Sequence, residues 1–274
     1  MSQAVASPAP LAALGPSRAA NHALSTVAVL FKRDLLRLLR QKSRLAGALG
    51  QPLIFWLVIG GGFAGTFRLP GSSTGYLEYF FPGVVVMVVL FTSIFGAMSL
   101  IEDRREGFLQ AVLAAPGPRA SVALGKVLGG ASVAWLQAMA FVALAPLAGF
   151  PLGRISFFAL ASVLALAAAG LAALGFALAW RVESTSGYHA VVSLLLVPLW
   201  VGSGAMFPAT GPVLGALVRA NPVAYLVDGA RQAFYGGPPP PGTGLGTSLA
   251  ADLAIAAVFA SVTLLAAAAS CRRR

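Results

Sequence analysis

Acidic residues are scarce in this chain: eight Asp and Glu stand against nineteen Lys and Arg in 274 residues. Charged residues of both signs make up only 10% of the sequence, where a soluble domain of this length carries about 25%. That deficit excludes an ordinary soluble domain. The single cysteine, Cys271, excludes a disulfide framework or a cysteine-rich metal site within one chain. We read it as a free thiol near a membrane surface, with lipid attachment the lesser alternative. Histidine is nearly as rare. His22 stands alone near the start and His189 lies beside Tyr188, neither with a second ligand nearby, so no metal site is expected.

Other absences narrow the function. Gly125-Lys126 is the nearest approach to a phosphate-binding loop, but Ala120 replaces its first glycine and Val127 its Ser or Thr, so the chain binds no ATP itself. Gly202-Ser203-Gly204 and His189 share one apolar stretch but lie about four helical turns apart, too far for a hydrolase pair. The cores of the long apolar stretches hold essentially no ionisable side chain, which weighs against an ion-coupled antiporter. Energy for any transport must then come from elsewhere.

What fills the chain is hydrocarbon, 58% of it hydrophobic. A membrane crossing needs about 20 apolar residues. Six stretches meet that length: 45–67, 80–101, 122–150, 157–180, 190–208 and 250–270. An even number puts both ends of the chain on one side. With that side cytoplasmic, the inner segments hold 15 of the 19 basic residues and the outer loops only Arg68, Arg154, Arg219 and Arg231. The excess of +11 therefore follows the positive-inside rule and anionic lipid, not nucleic acid. The expected fold is an all-α integral membrane protein with six transmembrane helices.

Residues 1–21, rich in Ala, Pro and Ser and without a signal-peptide pattern, read as a disordered cytoplasmic tail. Over 22–44, Leu24, Val27, Ala28, Phe31, Leu35 and Leu38 recur at three- and four-residue intervals, with Arg33, Arg37, Arg40 and Arg44 opposite. This predicts an amphipathic interfacial helix lying flat on the inner leaflet, as lipid anchor, as contact for a cytosolic subunit, or both. The basic residues 271–274 form a short cytoplasmic tail. Within the six-span region, Gly60-Gly61-Gly62 predicts a bent or loose outer end of the first span, and Pro146 and Pro198 predict kinks in the third and fifth. Ala165, Ala169 and Ala173, beside Gly170 and Gly175, predict close helix approach. No internal repeat is evident.

Between the second and third spans lies the densest charge in the chain, Glu102 to Glu106, followed by Gly107 and the run Phe108 to Ala115 before Pro116-Gly117-Pro118. Phe108 stacks above Val112 and Leu109 above Leu113 at helical spacing. We expect one docking helix over 102–115, its acids in the first turn where the helix dipole favours negative charge. Phe108, Leu109, Val112 and Leu113 give it an apolar face, and Glu102, Arg105 and Glu106 supply register and charge. On the other side, 209–249 predicts two short half-helices in or on the outer leaflet. Asn221 caps the second, Pro222 starts it, Tyr225 lies on it, and Asp228 pairs with Arg231. Pro238 to Pro241 then makes a stiff connector. Phe55, Trp56, Phe91, Phe95, Trp200, Ser203 and Met206 are candidate lining for a transport path.

The run Glu102-Asp103-Arg104-Arg105-Glu106-Gly107-Phe108-Leu109, continued to Ala115 and Pro116 and followed by Arg119 and Gly125-Lys126, resembles the inner-loop signature of the ABC-2 type transporter permeases. Asn221-Pro222-Val223-Ala224-Tyr225 with Asp228 and Arg231 is similar to that family's segment before its last span. The resemblance implies the permease subunit of an exporter in the bacterial cytoplasmic (inner) membrane. Two permease copies, identical or related, would work with cytosolic ATP-binding subunits. The chain would hold no cofactor, with ATP and Mg bound in the partner. Helices 22–44 and 102–115 would be its contacts with the ATPase. Family members move drugs, lipids, lipid-linked glycans, polysaccharides and other amphiphiles, and the permeases of daunorubicin and nodulation-factor exporters resemble this chain in size and layout. A stand-alone secondary transporter or channel-like protein is the alternative reading.

Overall fold

A computed structural model describes residues 16–40, 42–65, 74–114, 118–208 and 211–271. The expected tail before residue 16, the break at Pro116-Gly117 and the basic residues 272–274 lie outside these. The described residues are helical with no strand. In chain order the helices are α1 (Pro16–Arg40), α2 (Lys42–Phe63), α3 (Tyr76–Gly96), α4 (Met98–Arg105), α5 (Phe108–Ala114) and α6 (Arg119–Val142). After two short 3-10 turns come α7 (Phe157–Arg181), α8 (Thr185–Val201), α9 (Pro212–Ala220), α10 (Pro222–Tyr235) and α11 (Leu249–Ser270).

Helix α3 is the axis of the molecule. It is apolar all round, so it can sit only in a core or a bilayer, and Phe80 to Leu90 is an unbroken run of buried residues. The other apolar helices stand around it and run from one end to the other. Helix α2 runs antiparallel to α3, with Trp56 Nε1 donating to Leu77 O at 3.1 Å and Phe63 packing on Tyr76. Helix α8 does the same on another side, its Tyr188 hydroxyl donating to Ile94 O at 2.8 Å and Trp200 Nε1 to Gly83 O at 2.9 Å. Helices α6 and α7 fill the remaining flanks, and α11 lies outside against α7.

Tyr76–Arg105, Arg119–Val142, Phe157–Arg181 and Leu249–Ser270 are long and apolar enough to cross a membrane, four among the described residues. The first expected span is α2, apolar over Leu49–Phe63, and the fifth is the shorter α8, Thr185–Val201. The chain is thus an all-α, multi-pass membrane protein.

Several local expectations change. The third span stops at Val142, and Pro146 begins a 3-10 turn beyond it, where a missing N–H costs nothing. Helix α2 continues through Gly60 to Gly62 without loosening. Helix α1 begins at Pro16, inside the stretch read as tail. In α7 the alanine repeat forms no seam, since Ala165 is exposed and Ala173 buried. The close approaches fall at its glycines: a Cβ on Gly170 would meet the Phe259 ring at 2.7 Å, and one on Gly175 would meet Ile94 Cα at 3.0 Å. Lipid gives no hydrophobic drive for helix association, so such backbone contact is what holds α11 and α3 to α7.

Candidate functional site at the basic end

The expected single docking helix over 102–115 is two helices. Glu102 lies in the last turn of α4, not the first turn of a new helix, and the chain reverses at Gly107 (φ 76°) before α5 starts at Phe108. The Gly107 N–H reaches back to Arg104 O at 3.3 Å, closing α4 with a left-handed glycine where an L side chain would be strained. The dipole argument for the acids therefore fails. Arg104 and Arg105 occupy that C-terminal turn instead, where positive charge is favoured.

The acids meet cations from elsewhere in the chain. Asp103 has no exposed surface and receives three of them. Arg33 Nη2 donates to its Oδ1 at 2.6 Å and Arg33 Nη1 to its Oδ2 at 3.3 Å, a bidentate pairing. Arg37 reaches Asp103 Oδ1 at 3.4 Å and Glu102 Oε2 at 3.1 Å, and Lys126 Nζ contacts Asp103 Oδ2. So the Arg33 and Arg37 side chains of α1, expected on the face opposite the apolar one, are turned toward α4 and α6. Arg40 is exposed and Phe31 half-buried.

The Gly125-Lys126 pair acquires a physical meaning here. Helix α1 crosses α6 at Gly125, where an added Cβ would meet Leu30 Cβ at 2.9 Å and Val27 O at 3.1 Å. Glycine lets the two backbones approach, and the next residue sends its ammonium to Asp103. Arg104 extends the same junction to α7: its guanidinium donates to Trp180 O at 3.0 Å and Val182 O at 3.1 Å, capping the last turn of that helix.

Helix α5 rests on this platform. The Arg33 guanidinium lies 3.7 Å from the Phe108 ring centroid, and Leu109 is 4% exposed. The face turned to solvent is Arg105, Glu106, Gln110, Ala111 and Ala114, with Val112 half-buried. Leu109 was assigned to an apolar docking face, but it is packed inside its own chain. Leu113 is helical, and nothing is described of its side chain. The sequence reading missed Asp103 and Lys126 as site residues. An acid near the end of a long apolar helix was the available signal, because such a group demands a partner.

At the opposite end, Asn221 caps α10 as expected: its Oδ1 accepts from Val223 N at 2.9 Å, while its amide donates to Leu199 O of α8. The Tyr225 hydroxyl donates to Arg219 O at 2.8 Å. Helix α10 is packed inside the helix bundle. Leu226 to Tyr235 are all buried among α3, α7 and α11, with Pro222 at the helix start. The expected Asp228–Arg231 pair does not form. Asp228 accepts from Leu245 N and the Thr247 hydroxyl of the connector, at 3.1 and 3.0 Å. Arg231 turns the other way, over the Tyr79 ring at 4.5 Å and onto Thr243 O.

The candidate path residues do not surround one passage. Phe55 packs on Trp200 and lines a shallow groove on α2 with Gly47, Gly50 and Ile54. Trp56 is buried against Phe81, and Phe91 and Phe95 lie further along α3, Phe95 stacked on His189. The Ser203 hydroxyl donates to Trp200 O at 2.6 Å, closing the end of α8, and Met206 O accepts from the Tyr76 hydroxyl. Cys271 is buried, and burial pushes its thiol up to about 11, which leaves little thiolate for acylation. No cluster of three or more metal-ligating side chains occurs among the described residues.

The family model described as ABC-2 type transporter matches residues 25–235. That span includes the later part of α1, the Asp103 junction, α5 and α10. The chain is 27% identical over 215 residues to a protein of Cyanophora paradoxa described as a transport permease, ycf38, covering 75% of this chain and 73% of that one. The corresponding protein of Porphyra purpurea is 26% identical over 221 residues, 77% of this chain and 74% of the relative. The chain therefore belongs to the ABC-2 type transporter family and is a membrane permease.

Proposed function

We propose that this permease is the membrane subunit of an ATP-driven exporter, with its basic end in the cytoplasm. It moves an amphiphile (a drug, a lipid or a lipid-linked glycan) outward across a bacterial cytoplasmic membrane. A separate cytosolic ABC subunit binds ATP and Mg, and two permease copies, identical or related, form the membrane part. The chain crosses the membrane six times. Helix α8, the shorter of the two doubtful crossings, has 17 residues and a length of about 25 Å, and runs beside α3 from the level of Ile94 to that of Gly83.

The observation that carries the reading is the Asp103 junction. A short helix with an exposed polar face is of no mechanical use unless a push on it reaches the membrane helices. Here α5 is held to α1 through Phe108 and Arg33, and α1 to α4 and α6 through Asp103. Arg104 carries the linkage to α7. The ATPase grips the exposed face of α4 and α5, with Arg105 and Glu106 setting charge register. The Arg-rich end is the side that faces anionic inner-leaflet lipid.

The test uses only exposed positions, because Leu109→Asp would bury a charge. Glu106→Lys combined with Ala111→Asp is expected to leave insertion and thermal stability as in the parent. It is expected to abolish capture of the cognate ATPase and ATP-driven transport in proteoliposomes. Undiminished transport by this variant removes α5 as the coupling element.

A further inference from the structure

The 30-residue apolar segment Tyr76–Arg105 is interrupted at one place only among its described residues, Ala97, between α3 and α4. There the α-helical ladder gives way to two tighter bonds, Ala97 N to Ile94 O at 3.1 Å and Leu100 N to Ala97 O at 3.0 Å. Tight turns inside a long helix mark points of weakness. The Tyr188 hydroxyl from α8 enters the gap and donates to Ile94 O at 2.8 Å, with Gly175 O a second acceptor at 3.2 Å. A side chain inserted into the ladder is one of the few physical causes of a helix bend.

The surroundings differ on the two sides of Ala97. Above it α3 is buried almost continuously, and Gly175 brings the α7 backbone against Ile94 and Ala97. Below it α4 is tied to α1, α5, α6 and the end of α7 by Asp103 and Arg104. At the level of the break lies a cavity of about 30 Å³, room for about one water, lined by Ser93, Gly96, Ala97, Gly130 and Ala172 among others. A Cβ on Gly96 would meet nothing within 4 Å. Helix α6 also carries Gly129-Gly130 here, so it too is easily bent at this height.

We propose that Gly96-Ala97 is a hinge on which the Asp103-clamped block of α1, α4 and α5 swings against the membrane body, with Tyr188 as its positioning residue. The cavity supplies the space into which α4 moves, and the Tyr188 hydroxyl sets the resting angle by holding the Ile94 carbonyl beside its tightened bond from Ala97. Its role in pumping rests on the ATP-driven reading above; the hinge itself does not.

Hydrogen exchange on the full-length permease in lipid nanodiscs tests the hinge without any ATPase. Amides 97–101 are expected to exchange at least about tenfold faster than those of 84–93. Gly96→Ala, whose methyl clashes with nothing, stiffens the backbone and takes up part of the cavity, and should slow them about fivefold. Tyr188→Phe, which keeps the ring and drops the hydroxyl, should speed them. Exchange at 97–101 as slow as in 84–93, or unmoved by either variant, overturns the hinge. In proteoliposomes with the ATPase, Gly96→Ala should lower substrate moved per ATP while ATPase binding is retained, and unchanged stoichiometry overturns its part in pumping. A parent protein that fails to pump with ATP refutes the exporter reading, and the exchange data still decide the hinge.

Discussion

Asp103 concentrates the energetics of the basic end in one side chain. A carboxylate without exposed surface is tolerable only because Arg33, Arg37 and Lys126 converge on it, and removing one member of such a buried set leaves the others as uncompensated charge. Asp103→Asn keeps the volume and takes from Arg33, Arg37 and Lys126 the carboxylate they share, so we expect a loss of about 3–5 kcal/mol. Lys126→Met leaves Asp103 with two arginines and should cost clearly less. Thermal unfolding in detergent measures both, and equal losses would show that the carboxylate is not the hub. The sequence located this region through its charge density but not the pairing of its individual residues. Helical spacing along 102–115 carries no information about Arg33, which is 70 positions away, or about Lys126, 23 away. For the same reason Asp228 and Arg231, three apart on α10, were read as partners. Tertiary neighbours, the connector for one and Tyr79 for the other, outcompete the local pairing.

Among the elements, α1 shows how much periodicity leaves out. The apolar and basic faces are where the spacing put them, but Arg33 and Arg37 on the basic face are half-buried against acids of α4, and α1 also crosses α6. What sequence periodicity cannot supply is the identity of the surface opposite a face. The glycine at the crossing supplies it afterwards. Gly125→Val would drive side-chain atoms into Leu30 and the Val27 carbonyl, and backbone cannot yield as a flexible side chain does. Overpacking of this kind costs about 1–3 kcal/mol and here also pulls α1 away from Asp103. We expect a lowered melting temperature together with new tryptic cleavage at Lys32 and Arg40. A stable variant with α1 still protected would mean that the crossing is looser than the contacts indicate. The broken docking segment belongs to this scale too, because Gly107 was visible as a residue but its left-handed turn depends on where α4 ends.

For the whole molecule, composition alone established a polytopic α-helical protein, and each of the six apolar stretches holds a helix among its described residues. What it left open is how many of them cross, since α8, at 17 residues, is short for a crossing and α2 counts as apolar over Leu49–Phe63. The arrangement around α3 bears on this. Gln110 lies beyond the C-terminal end of α3, whereas the connector after α10 packs near its N-terminal end, where Arg231 meets Tyr79. If only the four long helices cross, positions 110 and 241 are separated by two crossings and must face the same compartment. With α8 also crossing, three separate them, and they face opposite compartments. Single cysteines at Gln110 and Pro241, both exposed positions, introduced in a Cys271→Ser background, distinguish these cases. A membrane-impermeant maleimide applied to right-side-out vesicles should label Pro241→Cys and leave Gln110→Cys unmodified until the membrane is permeabilised. Labelling of both from one side would remove α8 as a crossing and, with it, the placement of α5 opposite the connector on which ATP-driven coupling depends.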